Sequence, residues 1–152
     1  MECARSPSCR RSAVVEMIRL QQEPIEVVEL ISSVGGSGDG AVSLFLGRVR
    51  DRSRGRAVLH LEYQAYDGMA QREMARIIEE AGERFGLSAV ALIHRTGRVG
   101  IGEVSVGLAV ASPHRAEAIE GCRFIIDNLK SRVPIWKKEF YEGGSSWIGS
   151  GG

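Results

Sequence analysis

Cysteine and aromatic residues are scarce in this 152-residue chain, and each shortage excludes a class of protein. The three cysteines, Cys3, Cys9 and Cys122, are an odd number without paired spacing, which excludes a disulfide framework and a zinc site. Aromatic residues make up 6%, and the strands lack the stacking pattern of RNA-recognition domains. No apolar run is long enough to cross a bilayer. We therefore expect a reduced, cytoplasmic protein that binds neither a metal nor a cofactor.

The charge balance excludes proteins that bind nucleic acid broadly. The net charge is +1, with 43% hydrophobic and 26% charged residues, which is typical of a globular protein with one core. The positive surplus lies within residues 1–16, so the rest of the chain is neutral. Because broad nucleic-acid binding depends on neutralising many phosphates, a neutral body argues against it and leaves room only for a local anion pocket.

Hydrophobic periodicity and turn residues predict an α+β fold with a mainly antiparallel sheet and three helices packed on it. We expect a single domain over residues 17–148, an unstructured N-terminal tail at 1–16 and a flexible tail at 149–152. The tail before Met17 lacks pattern, and Met17 is itself a candidate start. The predicted strands are 17–22, 41–49, 57–65, 88–96, 103–111 and 135–141, and the predicted helices are 25–33, 69–85 and 113–132.

Two elements carry more detailed expectations. Strand 41–49 reads AVSLFLGRV and is apolar on both faces, so it is predicted to be a central strand. In the first helix, Ile25, Val28 and Ile31 are predicted to share the buried face.

The start of the predicted third helix has an unusual charge. Ser112 is a natural N-cap and Pro113 a natural first-turn residue, after which acidic side chains normally complement the helix dipole. Here His114 and Arg115 follow instead. Cations beside free backbone N–H groups favour a bound phosphate or carboxylate. The alternative is that the acidic residues of the next turn balance the charge and nothing binds.

Lysine is also scarce, and its distribution is uneven. The chain holds 17 arginines but only three lysines, Lys130, Lys137 and Lys138, all within nine residues. Lysine can lose its proton when it is buried or lies beside other cations, whereas arginine cannot, so a site that needs a neutral amine must use lysine. A turn after Pro134 could bring Lys130 and Lys137 into one pocket. The alternative is a favourable helix terminus followed by a solvated strand edge.

Alternate arginines occupy a strand end and the loop RDRSRGR. They could steer an acidic partner or hold a phosphate, and the alternative is a solvated loop with one or two useful side chains. His94 is predicted to be satisfied in or near the core, and Cys122 to be a buried, inert thiol. The arginines are Arg48, Arg50, Arg52, Arg54 and Arg56.

Five segments and Trp147, spread across residues 17–148, form a specific combination. The segments are FLGRVRD (45–51), LEYQAYDGMAQREM (61–74), IHRTGRVGIGE (93–103), VASPHRAEA (110–118) and IIDNLKSRVPIWKKE (125–139). In this order they resemble the large, catalytic subunits of molybdopterin synthase, the MoaE family.

The resemblance implies an α/β-hammerhead fold and a homodimer. It also implies a sulfurtransferase of molybdenum cofactor biosynthesis that converts cyclic pyranopterin monophosphate to molybdopterin. A small ubiquitin-like sulfur carrier would dock on each large subunit, giving a heterotetramer, and insert its thiocarboxylated Gly-Gly tail into the active site. Because the sulfur arrives on the partner, no catalytic cysteine is needed.

The same resemblance assigns roles to individual residues. Lys130 and Lys137 are the expected catalytic residues, with Lys137 in the proton-transfer or covalent role and Lys130 stabilising charge. Glu139 is expected to orient them, whereas Lys138 should point to the opposite face of its strand. The expected cations for the substrate or the carrier tail are Arg50, His114 and Arg115.

Two other classes of function remain open from the residues alone. The chain could be a non-enzymatic α+β binding module that uses the arginine loop on RNA or another anionic partner. It could also be a dimerisation domain without chemistry. Titration with single-stranded RNA at two salt concentrations would test the first alternative, and complex formation with a thiocarboxylated carrier would test the second.

Overall fold

The computed structural model describes residues 14–148 and contains three helices and two main sheets in that range. Residues 1–13 and 149–152 lie outside the described part, so the expectation of two tails stays a prediction for them. The predicted end of the N-terminal tail at residue 16 is wrong, because Val15 and Glu16 belong to the first strand and pair with Ala89 and Val90. No helix within residues 14–148 is both long and apolar enough to cross a membrane. The elements in chain order are β1 (Val15–Gln21), α1 (Val27–Ser32), β2 (Ala41–Arg48), β3 (Arg52–Ser53), β4 (Arg56–Ala57), β5 (His60–Ala65), α2 (Asp67–Phe85), β6 (Ala89–Arg95), β7 (Gly97–Gly100), β8 (Val104–Ser112), α3 (Arg115–Arg132), β9 (Ile135–Tyr141) and β10 (Gly144–Ile148).

The strands form two four-stranded sheets rather than one. The first has the order β1-β6-β8-β2, in which only the β1–β6 pair is parallel. The second has the order β10-β9-β5-β7 and is antiparallel throughout. A two-stranded ribbon, β3–β4, lies within the arginine loop. The predicted α+β class, with a mainly antiparallel arrangement and three helices, is confirmed.

The prediction that strand 41–49 is central is wrong, because β2 is an edge strand of the first sheet. Val42 and Leu44 on this strand are 47% and 38% exposed. An apolar pattern reports that a strand meets apolar neighbours, but it does not say whether both of its backbone edges are hydrogen-bonded. Within the described chain, β2 therefore combines an unpaired backbone edge with exposed apolar side chains, and native proteins usually cover such a strand.

The main core lies between the first sheet and the helices α2 and α3. Its fully buried side chains come from both layers, such as Met74 and Ile78 of α2, Ile125 of α3 and Leu108 of β8. The helix α2 ends where predicted, at Gly86, whose positive φ of 66° allows the left-handed cap. The same core fixes the axis of α3 and hence the position of its last turn.

The short helix α1 packs on the opposite face of the first sheet, but the predicted buried face is wrong. Val28 is 81% exposed and Ile31 is also exposed, whereas Leu30 is fully buried. The helix begins at Val27 rather than at residue 25. Ile25 is buried ahead of the helix, so it does not set the helical phase that the prediction assumed.

A close approach between α3 and the segment after α2 depends on Gly121. A Cβ atom added at Gly121 would lie 2.8 and 2.9 Å from the two methyl carbons of Leu87, which is closer than real contacts allow. The glycine thus lets α3 settle onto the core at this point.

We expect Gly121→Ala to destabilise the fold by about 1–3 kcal/mol, because Leu87 must shift within a packed core. Urea unfolding followed by circular dichroism measures this change. Gly38→Ala is the matched control, since a Cβ at Gly38 would meet nothing within 4 Å. Equal stabilities for the two variants would contradict this account of the α3 packing.

Candidate active site

A cavity of about 560 Å³ lies where the last turn of α3, the strands β5 and β9 and the arginine loop meet. We call it the lysine pocket and define it by the charged side chains that line it. These are Arg48, Arg50, Arg52, Asp127, Lys130, Lys137 and Glu139. Sequence reasoning placed Arg50, Lys130, Lys137 and Glu139 in one site, and the structure brings these four together.

The two lysines reach the pocket from different elements. Lys130 lies in the last turn of α3 and is exposed, whereas Lys137 lies on β9 and is half-buried. Pro134 stands between the helix and the strand, and the chain turns there as predicted. Lys138, the next residue on β9, lies over the rings of Phe140 and Trp147 at 5.3 and 5.4 Å. Adjacent strand residues alternate between faces, so Lys138 lies outside the pocket.

The surroundings of Lys137 hold its pKa below the usual lysine range. Burial is the largest cause, and the positive charge of Lys130 adds to it, with smaller contributions from Arg50 and Arg54. The carboxylate of Glu139 acts in the opposite direction and favours the charged amine. Lys137 is thus the pocket amine in which burial and neighbouring cations ease the loss of a proton.

Glu139 is a buried carboxylate with a defined anchor. It is 7% exposed, and its Oε1 accepts a hydrogen bond of 3.0 Å from the hydroxyl of Ser53. It lies two residues from Lys137 on the same strand, so both side chains point to the same face. The ribbon that carries Ser53 is thereby tied to β9 beside the lysine.

Some side chains of the arginine loop point into the lysine pocket, and others point away from it. Arg50 and Arg52 line the pocket, and the Nε of Arg48 donates a 3.0 Å hydrogen bond to the carbonyl of Gly102. Arg56 points elsewhere and stacks on the ring of Tyr141 at 4.6 Å. Arg54 has a φ of +53°, because it occupies the tight turn between β3 and β4. Part of the arginine loop therefore lines the pocket, and the rest makes contacts elsewhere.

The structure does not bring His114 and Arg115 into the lysine pocket of the same chain. Arg115 opens α3 and Lys130 lies fifteen residues later, so about 22 Å of helix separates them at 1.5 Å per residue. The predicted cap is also wrong, because Ser112 belongs to β8 and His114 is the N-cap, without a side-chain hydrogen bond. Ser112 pairs with Ala41 of β2, and this pairing extends the strand through the position that was predicted to be the helix N-cap.

Sequence reasoning missed Tyr63, which lines the lysine pocket and lies opposite Lys137 in the pairing of β5 with β9. The ring of His94 meets that of Tyr63 edge-on at 5.0 Å. Burial lowers the pKa of His94 to about 4, and the charge of Lys130 acts in the same direction. Its Nδ1 lies 2.7 Å from the carbonyl of Arg95, so the neutral ring carries its proton there, and the predicted satisfied core histidine is confirmed.

Comparison with known proteins decides the family. The model of the family described as MoaE protein matches residues 20–132, which is most of the chain. The chain belongs to the MoaE family.

Its relatives extend the match to nearly the full described length. A molybdopterin synthase catalytic subunit from Taeniopygia guttata is 44% identical over 139 residues, covering 91% of this chain and 90% of the relative. One from Halalkalibacterium halodurans is 41% identical and covers 86% and 83%. The crystal structure of molybdopterin synthase from Staphylococcus aureus superposes with a TM-score of 0.82 at 37% identity, covering 86% of this chain and 95% of that one.

These relatives confirm the enzyme class that the resemblance predicted. They are catalytic subunits of an enzyme, which favours the sulfurtransferase over a non-enzymatic binding or dimerisation module. None of the comparisons tests the roles of individual residues, so the assignments for Lys130, Lys137, Arg50, His114, Arg115 and Glu139 stay predictions.

The charges around Lys137 predict opposite effects of two neutral substitutions on its pKa. Lys130→Gln should raise the pKa, because a like charge is removed, and Glu139→Gln should lower it, because an opposite charge is removed. The measurement is an NMR titration of ¹³C,¹⁵N-lysine-labelled protein, which contains only three lysine signals. Lys138→Gln, on the other face of β9, should leave the titration of Lys137 nearly unchanged. Shifts of the same sign in the two test variants would contradict the electrostatic account.

Proposed function

We propose that the lysine pocket converts cyclic pyranopterin monophosphate to molybdopterin, taking sulfur from the thiocarboxylated Gly-Gly terminus of a small carrier protein. The observation that carries this proposal is the convergence of cations on one cavity. Five cationic side chains line the pocket against two carboxylates, although the chain as a whole has a net charge of only +1. Such a pocket suits a ligand that brings both a phosphate and an anionic sulfur group.

The position of Cys122 supports an external source of sulfur. Cys122 is 6% exposed within the main core, and burial raises the pKa of its thiol, so it is protonated and shielded. Among the described residues, the lining of the lysine pocket contains no cysteine. The chemistry of the pocket therefore needs a donor that brings its own sulfur.

A small partner subunit is part of the same proposal. A structure with the same fold, at a TM-score of 0.72 and 21% identity, is the protein–protein complex of subunits 1 and 2 of molybdopterin-converting factor from Helicobacter pylori. That likeness extends to the fold alone. The open, cation-lined pocket is compatible with an extended, glycine-rich tail that carries a negative terminus.

The two lysines can divide the chemistry between them. In each transfer the thiocarboxylate sulfur forms a bond to a side-chain carbon of the pterin, and a carbon–oxygen bond of that carbon breaks, with the oxygen leaving on the phosphate or, once protonated, as water. Water then adds to the acyl carbon and the acyl carbon–sulfur bond breaks, which leaves the sulfur on the pterin and the carrier with a carboxylate. Two such transfers supply the two sulfurs of molybdopterin. Protons must move, and negative charge develops on the acyl oxygen. Lys137, with its lowered pKa, serves as the proton-transfer or covalent residue, and Lys130 stabilises charge. Glu139 orients Lys137, and Arg50 holds an anionic group of the substrate.

His114 and Arg115 belong to this site only if a second copy of the chain supplies them, because about 22 Å of helix separates them from the lysines of their own chain. The outer edge of β2, which has no pairing strand among residues 14–148, offers the required geometry. At one end of β2, Ala41 pairs with Ser112 beside the start of α3, and at the other end Gly47 and Arg48 line the lysine pocket.

An antiparallel pairing of two β2 edges would place each α3 start beside the pocket of the other copy. The strand has eight residues, or about 26 Å at 3.3 Å per residue, which matches the separation to be bridged. A twofold axis makes the two contacts identical, so both pockets are completed at once. The exposed Val42 and Leu44 lie on the strand that this pairing would use. We therefore propose a homodimer, and a heterotetramer when two carriers bind.

We expect replacement of Lys137 to stop the reaction and replacement of Lys138 to leave it nearly intact. Lys137→Ala should reduce turnover by about 10²–10⁴-fold, the usual contribution of a general acid or base. Lys137→Arg should fail as well, because arginine keeps the charge but cannot release a proton. Lys130→Ala should cut turnover severely.

The assay for these variants is single-turnover formation of molybdopterin with saturating thiocarboxylated carrier. Lys138→Ala is the matched control, because it removes an amine from the adjacent position on the other face of the strand. Near-normal turnover by Lys137→Arg would show that charge alone is required and would overturn the role proposed for Lys137.

Complementation between two inactive variants tests the shared site. Lys137→Ala and Arg115→Ala dimers should each be impaired, the second through weaker binding of the phosphorylated pterin. A heterodimer of the two, co-expressed with different tags and purified through both, should recover about half of the wild-type turnover, because one of its two sites combines intact residues from both copies. A heterodimer no more active than its parents would place Arg115 outside the reaction.

Leu44→Lys should yield monomers in sedimentation analysis, because it places a charge on the strand that the proposed dimer uses.

A further inference from the structure

Arg48 is a charged side chain of the lysine pocket to which the assignments above give no role. It is the last residue of β2, where the pairing with β8 shifts between Gly47 and Arg48. Strict alternation along β2 would send Phe45 and Gly47 to one face and Arg48 to the other, yet all three line the pocket. Because a β-bulge increases the local twist and re-aims side chains, we infer that this irregularity turns Arg48 towards the cavity.

The irregularity is built into the packing of β2 on β8. Val104 pairs with Arg48 and Val106 with Gly47, which leaves Ser105 as the extra residue on β8. The hydroxyl of Ser105 donates a 3.2 Å hydrogen bond to the carbonyl of Gly47. A Cβ atom at Gly47 would lie 2.6 Å from Cγ1 of Val106, so a larger residue would push the two strands apart. The direction of Arg48 therefore depends on a close approach between two backbones.

A backbone carbonyl holds the guanidinium of Arg48 at one edge. Its Nε donates a 3.0 Å hydrogen bond to the carbonyl of Gly102, which lies in the turn between β7 and β8. Gly102 has a φ of +79°, and a Cβ atom there would lie 3.4 Å from a terminal nitrogen of Arg48. Two backbone hydrogen bonds, Gly102 N to Val49 O and Val49 N to Glu103 O, join this turn to the residue after Arg48. The guanidinium is thus held against a turn that is bonded to its own segment.

An ion pair outside the pocket supports that turn. The Oε2 atom of Glu103 accepts hydrogen bonds from the backbone N–H of Gly100 at 2.8 Å and from Arg95 at 2.9 Å. These two hydrogen bonds hold the pKa of Glu103 below its usual range, so the carboxylate stays charged. Arg95 is 6% exposed and also donates twice to the carbonyl of Gln22. The carbonyl of Gly102 therefore has a position that the first sheet supports.

The anchor leaves the far end of the Arg48 guanidinium available to a ligand. Arginine carries five N–H donors in a planar fork, and the hydrogen bond to Gly102 uses the donor on Nε. Within residues 14–148, no carboxylate forms an ion pair with Arg48. The four remaining donors suit a group with two charged oxygens, because a guanidinium can bind two phosphate oxygens in parallel.

The charge of Arg48 is separated from the proton chemistry proposed for Lys137. Burial, Lys130, Arg50 and Arg54 lower the pKa of Lys137, and Arg48 is not among the charges that act on it. The thiocarboxylate has to react beside Lys137, where the charge of Arg50 is felt. Arg48 is thus placed to hold a different anionic group, and the phosphate of the pterin is the other one that the proposed reaction brings.

We propose that Arg48, held against the carbonyl of Gly102, binds the phosphate of the pterin substrate through its terminal nitrogens. The inference deepens the proposed function and rests on it for the identity of the substrate. The anion site itself is a property of the free protein. Arg48 contributes to substrate binding, and Lys137 contributes to the chemical step.

The first test is binding of inorganic phosphate to the free protein, followed by the backbone NMR signals of residues 47–50 and 100–103. Phosphate should shift these signals saturably in the wild type, and Arg48→Gln should raise its Kd by about tenfold or more, the value of one charge-assisted contact. Arg48→Lys should also bind phosphate more weakly, because an ammonium group lacks both the Nε anchor and the planar fork.

Arg56→Gln is the matched control, because it removes the same charge from the same loop at a side chain that stacks on Tyr141 outside the pocket. Its Kd for phosphate should stay within about twofold of the wild-type value. Equal Kd values for Arg48→Gln and Arg56→Gln, with both variants folded by circular dichroism, would overturn the proposal. Failure of phosphate to bind the wild type near Arg48 would overturn it as well.

Steady-state kinetics test whether the anion is the phosphate of the substrate. In Arg48→Gln, the KM for cyclic pyranopterin monophosphate should rise by about tenfold, while the KM for the thiocarboxylated carrier stays within about twofold. The kcat should also stay within about twofold, because the charge of Arg48 does not act on Lys137. A rise in the KM for the carrier instead would assign Arg48 to the carrier tail and overturn the assignment to phosphate.

The two measurements separate this proposal from the proposed function. If Arg48→Gln weakens phosphate binding as expected and the wild type transfers no sulfur, the anion site stands and the proposed function fails. If the wild type transfers sulfur and Arg48→Gln keeps the wild-type KM for the pterin, Arg48 has no part in substrate binding.

Discussion

The turn at Pro134 is the constraint on which the lysine pocket depends. It ends α3 two residues after Lys130 and starts β9 two residues before Lys137. Backbone hydrogen bonds hold the turn on both sides, since Val133 N donates to Leu129 O and Tyr66 N donates to Pro134 O. Because α3 belongs to the main core and β9 to the second sheet, this one connection sets the geometry between two layers. This geometry brings the amines of Lys130 and Lys137 into the same pocket.

Gathering cations around a half-buried amine is unfavourable in the free protein, and the structure compensates locally. Glu139 is buried beside Lys137 and anchored by Ser53, and Asp127 lies near Lys130. Arg132, two residues further along α3, is instead neutralised by Glu73 and Glu80 of α2, with contacts of 2.7 Å. The remaining positive potential is directed at the cavity, where an anionic ligand would relieve it. The same potential eases deprotonation of Lys137.

The arginine loop and the apolar edge strand show how one segment can serve two purposes. Residues 45–56 run from β2, whose outer backbone edge is unpaired among residues 14–148, into the loop and ribbon that supply Arg50, Arg52 and Ser53 to the pocket. In the proposed dimer, the edge that joins two copies leads directly into the loop that completes each site. Dimer formation and sulfur transfer would then depend on the same strand, since displacement of β2 would move both the dimer interface and the arginine loop.

The sequence by itself determined the fold class, the long helices, the family and four members of the pocket. Helix periodicity, Gly86 and Pro134 are local signals, and the confinement of all lysines to one short window is visible without coordinates. The tertiary structure alone decided the strand order and the position of His114 and Arg115. Strand neighbours follow from packing between remote segments, so β2 was wrongly predicted to be central. Which end of α3 meets the lysine pocket is also decided by packing. It is the last turn, so the length of the helix keeps His114 and Arg115 away from the pocket of their own chain. Tyr63 went unrecognised for the same reason, because only the register of β5 with β9 places it opposite Lys137.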